Sequence, residues 1–87
     1  MTLDEKLTRL KQEIDSLDST LNAMLAEEAG PAKQGARLQI AARFESCEAI
    51  LKSIRKDIAD KDKNDPIRAN VLSLRDQLSK LLDRYDA

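Results

Sequence analysis

The apolar residues of this chain recur at alternating intervals of four and three positions in three separate stretches. We call these stretches seams 1, 2 and 3. Seam 1 contains Leu3, Leu7, Leu10, Ile14, Leu17, Leu21 and Met24. Seam 2 contains Ile40, Phe44, Cys47, Leu51, Ile54 and Ile58, and seam 3 contains Ile67, Val71, Leu74, Leu78, Leu81 and Tyr85. This spacing places each set on one narrow stripe of an α-helix, as in coiled coils, so the pattern predicts three helices.

Signals at the helix ends set the predicted boundaries. Thr2 and Glu5 form a capping box, so the first helix is expected to span about residues 3–29. It should stop there because Gly30 can adopt the left-handed conformation that ends helices, and Pro31 cannot continue the hydrogen bonding. The other two helices are expected at about residues 33–61 and 66–85.

Short connections make neighbouring helices antiparallel. The sequence therefore predicts an all-α fold, an up-down-up antiparallel three-helix bundle with coiled-coil-like packing, in a single domain covering residues 1–87. Narrow seams also suit pairing between chains. A parallel, in-register homodimer of the first helix would place Lys6 opposite Lys11 and Glu13 opposite Asp18, which disfavours it because both pairs are like-charged. A homodimer of whole bundles stays open.

Composition and charge narrow the class of protein. Charged residues make up 36% of the chain, and only two residues are aromatic, as is typical of long helices. Residues 1–30 carry three basic and seven acidic side chains, whereas residues 31–63 carry eight and five, which favours pairing of the first helix with the second. The overall balance argues against nucleic acid as a partner.

Several features point to the cytoplasm. No apolar run approaches the ~18 residues of a membrane span, so no membrane contact is expected, and the N-terminal segment MTLDEKLTRL lacks the apolar core of a signal peptide. The single cysteine excludes an internal disulfide. A reducing, cytoplasmic location is therefore expected.

The segment DKDKNDPIR, from Asp60 to Arg68, comes closest to a metal motif. Oxygen-bearing residues occupy positions 1, 3 and 5 of a calcium-binding EF-hand loop that starts at Asp60. However, Asp65 stands where that loop has glycine, and Val71 stands where it has its closing glutamate. We therefore expect no metal site in this segment.

The same segment is better explained as a joint between two helices. Asp65 can cap the third helix, and Pro66 can occupy its first position, where the missing N–H has no cost. Lys61 and Lys63 lie near the C-terminal carbonyls of the second helix, where positive charge is favourable.

The sequence offers no catalytic or cofactor-binding residues. Histidine is absent, and no strand precedes a glycine-rich phosphate loop. Cys47 is the only candidate nucleophile, but it lies in the middle of seam 2, so we expect a small buried hydrophobic residue. These features predict a protein that is not an enzyme and that holds no cofactor.

Leu7 to Glu28, LTRLKQEIDSLDSTLNAMLAEE, resembles the first helix of the all-helical chorismate mutases, whose pattern runs L-R-x-x-I-D-x-I-D-x-x-L-L-x-L-L-x-x-R. The matching pairs are Ile14-Asp15 and Leu17-Asp18. This resemblance implies a small helical enzyme whose arginine side chains bind a dicarboxylate substrate. The two arginine positions are here Lys11 and Glu28, so the substrate-binding arginines are missing.

A second resemblance lies in the layout of residues 1–58. Their helical hairpin, joined by GPAKQG from Gly30 to Gly35, is similar to the small co-chaperones of type III secretion needle subunits. In that family the hairpin packs against a TPR-type chaperone. The resemblance implies a helical protein as partner.

Five residues are candidates for contact with a partner: Leu25, Leu38, Leu72, Leu82 and Tyr85. All except Leu72 come from the bundle end where the first helix ends, the second begins and the third ends. They form either a hydrophobic lid over the core or a docking surface for another helical protein. The sequence thus predicts a small helical interaction module, an adaptor, chaperone-like protein or assembly factor.

Overall fold

The computed structural model describes residues 2–86 and contains three α-helices: α1 (Leu3–Ala26), α2 (Pro31–Asp57) and α3 (Pro66–Asp86). Lys6 Nζ of α1 lies 2.6 Å from Asp57 Oδ2 at the end of α2. Tyr85 Oη at the end of α3 donates a hydrogen bond of 3.2 Å to the carbonyl oxygen of Arg37, near the start of α2. Successive helices are therefore antiparallel, and all three pack against one another. The predicted three-helix bundle is confirmed.

The core is formed by the three seams. Every buried apolar residue among residues 2–86 belongs to one of them: Leu10, Ile14, Leu17, Leu21, Met24, Ile40, Phe44, Cys47, Leu51, Ile54, Ile58, Val71, Leu74, Leu78 and Leu81. The remaining seam residues, Leu3, Leu7, Ile67 and Tyr85, are partly buried and pack against this core. Full burial of one such aliphatic side chain is worth about 1.5–3 kcal/mol, so each buried seam residue contributes substantially to the stability of the fold.

The interhelical ion pairs differ from the expected pairing of acidic first helix with basic second helix. Lys6 and Asp57 reverse that pattern, because the cation belongs to α1. The α1 carboxylate of Asp18 lies 2.9 Å from Arg84 of α3 instead, and Arg84 also donates to Asn22. The other charges of α1 and α2 lie mainly on exposed faces, where water screens them. The apolar seams, rather than charge, hold α1 against α2.

The connection between α1 and α2, residues 27–30, lies earlier in the chain than expected and is one residue longer. The start of α1 agrees with the capping prediction, since Thr2 Oγ1 accepts a 3.2 Å hydrogen bond from the N–H of Glu5. At its other end α1 stops at Ala26 instead of near residue 29. The N–H of Glu27 donates to Met24 O at 3.1 Å, and Glu27 is extended. Carboxylates at a helix C-terminus are unfavourable, which accounts for the early end.

The prediction that Gly30 adopts a left-handed conformation is wrong. Gly30 is extended, with φ 165° and ψ −177°, and it is the N-cap of α2. Pro31 is the first residue of α2, so this helix begins before the predicted residue 33. The reason is that proline at the first helical position has a suitable φ and needs no N–H partner. Pro31 therefore starts a helix rather than ending one.

The connection between α2 and α3 contains residues 58–65. Here α2 ends at Asp57, earlier than the predicted residue 61, and the N–H of Ile58 donates to Ile54 O at 3.0 Å. Asp65 Oδ1 accepts a 3.0 Å hydrogen bond from the N–H of Ile67, and Pro66 opens α3, as predicted for a joint. The predicted start of α3 is thus confirmed.

Arg68 fastens this connection to α3. Its guanidinium donates to four backbone carbonyl oxygens: Nε to Lys61 and Asp62, both at 3.1 Å, and Nη2 to Ile58 at 3.1 Å, Ala59 at 3.3 Å and Lys61 at 2.7 Å. These carbonyls follow the last residue of α2 and lie outside its helical hydrogen bonding, so a side-chain donor stabilises them. Sequence analysis placed Lys61 and Lys63 at this end and missed Arg68.

Candidate interaction surface

The five candidate contact residues differ in exposure. Leu25, Leu38 and Leu72 are 40%, 74% and 49% exposed, respectively. Leu82 and Tyr85 are partly buried and pack against the core. Most of the Leu38 side chain is therefore exposed, whereas Leu25 is more than half covered. Leu82 and Tyr85 have the core contacts expected of a hydrophobic lid.

Tyr85 attaches the end of α3 to α2. Besides its hydrogen bond to the carbonyl of Arg37, its ring lies beneath the Arg37 guanidinium, with Cζ 4.5 Å from the ring centroid. The rings of Tyr85 and Phe44 are 5.5 Å apart between centroids and inclined by 60°. Cation–π contacts at exposed sites are worth about 0.5–1 kcal/mol. Leu38 follows Arg37 directly, so the most exposed leucine lies beside a firmly held part of the bundle.

Leu72 lies elsewhere, in a groove between α2 and α3 that we call the α2–α3 groove. Its wide part has a volume of about 360 Å³ and is lined by Arg55, Ile58, Ala59, Lys63, Arg68, Val71, Leu72 and Arg75. A smaller depression of about 180 Å³ continues along the same two helices and is lined by Glu48, Leu51, Arg75, Leu78, Ser79 and Leu82. Arg75 borders both parts. Leu72 and Leu82 thus lie along one groove, about 15 Å apart at the helical rise per residue.

The wide part of the groove is lined by cations and apolar groups. Its four charged lining residues, Arg55, Lys63, Arg68 and Arg75, are all basic. The guanidinium of Arg68 is engaged with backbone carbonyls. Arg75 approaches Asp76 only at 3.9 Å, and both side chains are at least half exposed, a pair worth about 0–1 kcal/mol. Among residues 2–86, Arg55 and Lys63 have neither an ion-pair nor a hydrogen-bond partner for their charged groups. The groove therefore presents positive charge beside an apolar floor.

Cys47 lies in the core, as predicted from seam 2. Burial raises the pKa of its thiol from the ordinary value of 9.0 to about 11. The carboxylates of Glu13 and Glu48 add to this rise, and the guanidinium of Arg43 opposes it. Because the nucleophile is the thiolate, a buried and protonated thiol is poorly suited to covalent catalysis.

The carboxylates of the α2–α3 connection serve its backbone. Asp62 Oδ1 accepts a 3.3 Å hydrogen bond from the N–H of Asn64, and Asp65 caps α3. Within the described residues no three or more metal-binding side chains converge where an ion could be held. This segment acts as a structural joint.

The two positions that carry arginines in chorismate mutases do not belong to the groove lining. Lys11 lies on α1 and Glu28 lies beyond its end, and both side chains are exposed. Neither residue lines the α2–α3 groove. The structure therefore places no arginine cluster at these positions.

No helix within residues 2–86 combines the length and the apolar character needed to cross a membrane. Comparisons of the chain with known protein families, with curated protein sequences and with solved structures found no match.

Proposed function

We propose that this protein is a small helical protein–protein interaction module, such as an adaptor, a chaperone-like protein or an assembly factor, without catalytic activity of its own. The observation that supports this most strongly is the exposure of Leu38, at 74%, in a chain whose seams already form a complete core. Covering a leucine is worth about 1.5–3 kcal/mol, and a partner could supply that gain. Leu25, 40% exposed near the end of α1, adds to the same surface.

The partner we propose is another helical protein. Both leucines lie on helices that flank the short connection at Gly30, so they offer ridges on a rigid hairpin rather than a concave pocket. Helical partners recognise such surfaces through apolar residues spaced one turn apart. The single cysteine, Cys47, is a free thiol, the state that a reducing compartment maintains, so we propose the cytoplasm as the place of this interaction.

The second candidate function is that of a type III secretion needle co-chaperone-like protein. It is favoured by the exposure of a leucine on each arm of the α1–α2 hairpin, Leu25 on α1 and Leu38 on α2. In this version of the proposal the hairpin packs against a TPR-type chaperone. No comparable observation favours a chorismate mutase-like enzyme, since Lys11 and Glu28 replace its arginines.

The experiment combines a mass measurement with a binding test. Light scattering over a wide concentration range establishes whether the chain is a monomer or a homodimer. Proteins captured by the immobilised chain from its host are then purified and titrated against wild type, Leu38→Glu and the control Gln39→Glu. Gln39 is exposed on the next position of α2, so the control adds a negative charge on a different face.

The proposal expects Leu38→Glu to abolish binding while Gln39→Glu preserves it, with the helicity and melting temperature of both variants unchanged. Equal binding by wild type and Leu38→Glu would contradict it. A homodimer that dissociates only in Leu38→Glu would show that the partner of this surface is a second copy of the chain.

A further inference from the structure

We propose that the α2–α3 groove binds an acidic amphipathic helix of another protein. This inference rests on the proposed function, because it supplies the chemistry of a partner. It concerns the groove beside Leu72, however, and not the surface around Leu38. The two surfaces can therefore be tested separately.

The floor of the groove suits apolar side chains. Ile58 and Val71 are buried core residues that also line it, and Leu72 forms its rim at 49% exposure. The volume of about 360 Å³ lies at the lower end of the range for pockets that hold small molecules or anchoring side chains. An occupant that placed aliphatic side chains here would cover Leu72 and the exposed edges of the core. That burial provides the affinity.

The charged residues around the floor determine whether the occupant should be acidic or basic. Arg55 and Lys63 have charged groups without partners among residues 2–86, and Arg75 has only a long contact with Asp76. Carboxylates brought beside these groups would form charge-assisted hydrogen bonds, and two of the three cations are arginines, which bind carboxylates through two parallel bonds. Asp57, two residues after Arg55 in the sequence, is paired with Lys6. An acidic occupant is thus complementary, and a basic one would be repelled.

The combination of floor and charge favours a peptide over nucleic acid. Single-stranded nucleic acids are typically held by a cationic groove together with aromatic side chains on which bases stack. The residues lining the wide part of the groove include no aromatic side chain, and its floor is aliphatic. Aliphatic contacts flanked by carboxylates are what one face of an amphipathic helix offers.

The length of the groove and the uneven distribution of charge along it define the length and the charge pattern of the occupant. The distance of about 15 Å from Leu72 to Leu82 corresponds to about three helical turns. The cations border the end near the α2–α3 connection, whereas Glu48 lines the narrower part. The occupant should therefore carry its carboxylates at one end, beside Arg55 and Lys63, and apolar or basic residues at the other.

The test is a displayed library of helical peptides of about five turns, with leucines fixed one turn apart and flanking positions drawn from Asp, Glu, Lys, Arg and Ser. Selected peptides are synthesised, and their affinities are measured by fluorescence anisotropy at low and high salt. The variants are Leu72→Ser for the apolar rim and Arg75→Glu for the charge. The matched control is Arg9→Glu, which makes the same charge change at an exposed position of α1. Leu38→Glu reports on the other surface, and circular dichroism checks the fold of every variant.

The expected result is enrichment of acidic residues toward one end of the selected peptides. Leu72→Ser and Arg75→Glu should each weaken binding by about tenfold or more, whereas Arg9→Glu and Leu38→Glu leave it unchanged. High salt should weaken binding by wild type and have a smaller effect on binding by Arg75→Glu.

Four results would overturn the inference. These are selection of neutral or basic peptides, no selection above background, affinities unchanged in Leu72→Ser, and binding of duplex or single-stranded DNA that depends on Arg75 but not on Leu72. Loss of peptide binding only in Leu38→Glu would also overturn it and would leave the proposed function in place. Failure of the proposed function is recognised separately, by partner binding that is unaffected by Leu38→Glu.

Discussion

Replacing Arg68 by alanine should destabilise the protein more than replacing any exposed arginine. Among the described residues, the guanidinium of Arg68 is the only side-chain group that donates to backbone carbonyls of the α2–α3 connection. In Arg68→Ala the carbonyls of Ala59 and Lys61 lose their donor, whereas those of Ile58 and Asp62 keep backbone N–H donors at 3.0 Å. The connection of residues 58–65 also loses these side-chain contacts with α3. The control is Arg75→Ala, on the same helix, because Arg75 makes only a 3.9 Å contact with Asp76.

The size of the effect follows from the number of donors and their exposure. The five contacts to four carbonyls share the three N–H groups of two nitrogen atoms, and two of those carbonyls also have backbone donors, so they contribute less than five separate hydrogen bonds would. A hydrogen bond from a charged group contributes about 1.5–3 kcal/mol when buried, and water competes at this partly exposed position. We therefore expect Arg68→Ala to lower the free energy of unfolding by about 2 kcal/mol. For a domain of this size, that corresponds to a fall of roughly 8–16 °C in Tm.

The assay is urea unfolding followed by circular dichroism at 222 nm, with thermal melting as a second probe. Arg68→Lys should lie between wild type and Arg68→Ala. Its ammonium keeps the favourable interaction with the helix terminus, worth about 0.3–1 kcal/mol, but it cannot reach several carbonyls in the plane of a guanidinium. If Arg68→Ala and Arg75→Ala unfold at the same urea concentration, water satisfies the carbonyls equally well and the argument is refuted.

Three further predictions concern the helix interior and the core. Gly35 lies within α2, and a Cβ at this position would meet no atom within 4 Å. Because alanine favours the helix interior more than glycine does, Gly35→Ala should raise the free energy of unfolding by about 0.5–1 kcal/mol. An unchanged Tm would contradict this prediction. Leu17 is fully buried, so Leu17→Ala should lower the free energy of unfolding, measured in urea, by about 2–5 kcal/mol. Leu38 is exposed, so Leu38→Ala should stay within about 0.5 kcal/mol of wild type. Similar losses in both variants would show that Leu38 is also a core residue. The pKa of the Cys47 thiol is raised from 9.0 to about 11 in the folded protein, so the unfolded chain loses this proton first as the pH rises. The free energy of unfolding should therefore fall between pH 9 and pH 11 more steeply in wild type than in Cys47→Ala. Equal pH dependence of the two proteins would disprove that the thiol is buried.

The seams could be predicted from sequence because burial depends on a regular period. Residues such as Leu17 and Ile54 occur at intervals that only one face of a helix satisfies, and that face must leave water. Helix ends were less predictable, because one residue type can serve opposite roles. Gly30 and Pro31 are compatible with either the end of one helix or the start of the next, and the structure uses them for the start.

The candidate surfaces depend on contacts that a periodic pattern does not contain. Leu38 lies outside the three seams, so the periodic pattern alone did not determine whether another helix covers it, and in the structure it is 74% exposed. The cationic groove requires Arg55 and Lys63 to lie near Arg75, and these residues come from different segments of the chain. A signal was present in the sequence, since Arg55 and Arg75 flank seam residues of adjacent antiparallel helices.

The dependence of the core on three narrow seams restricts how the length of this chain can vary. Adding one residue in the middle of α2 would turn everything after it by about 100° and would carry Leu51 and Ile54 from the interior toward water. Adding seven residues, close to two turns, would restore their direction. Variants that differ in length should therefore have single insertions or deletions in residues 27–30 or 58–65, and changes within the helices should come in near multiples of seven.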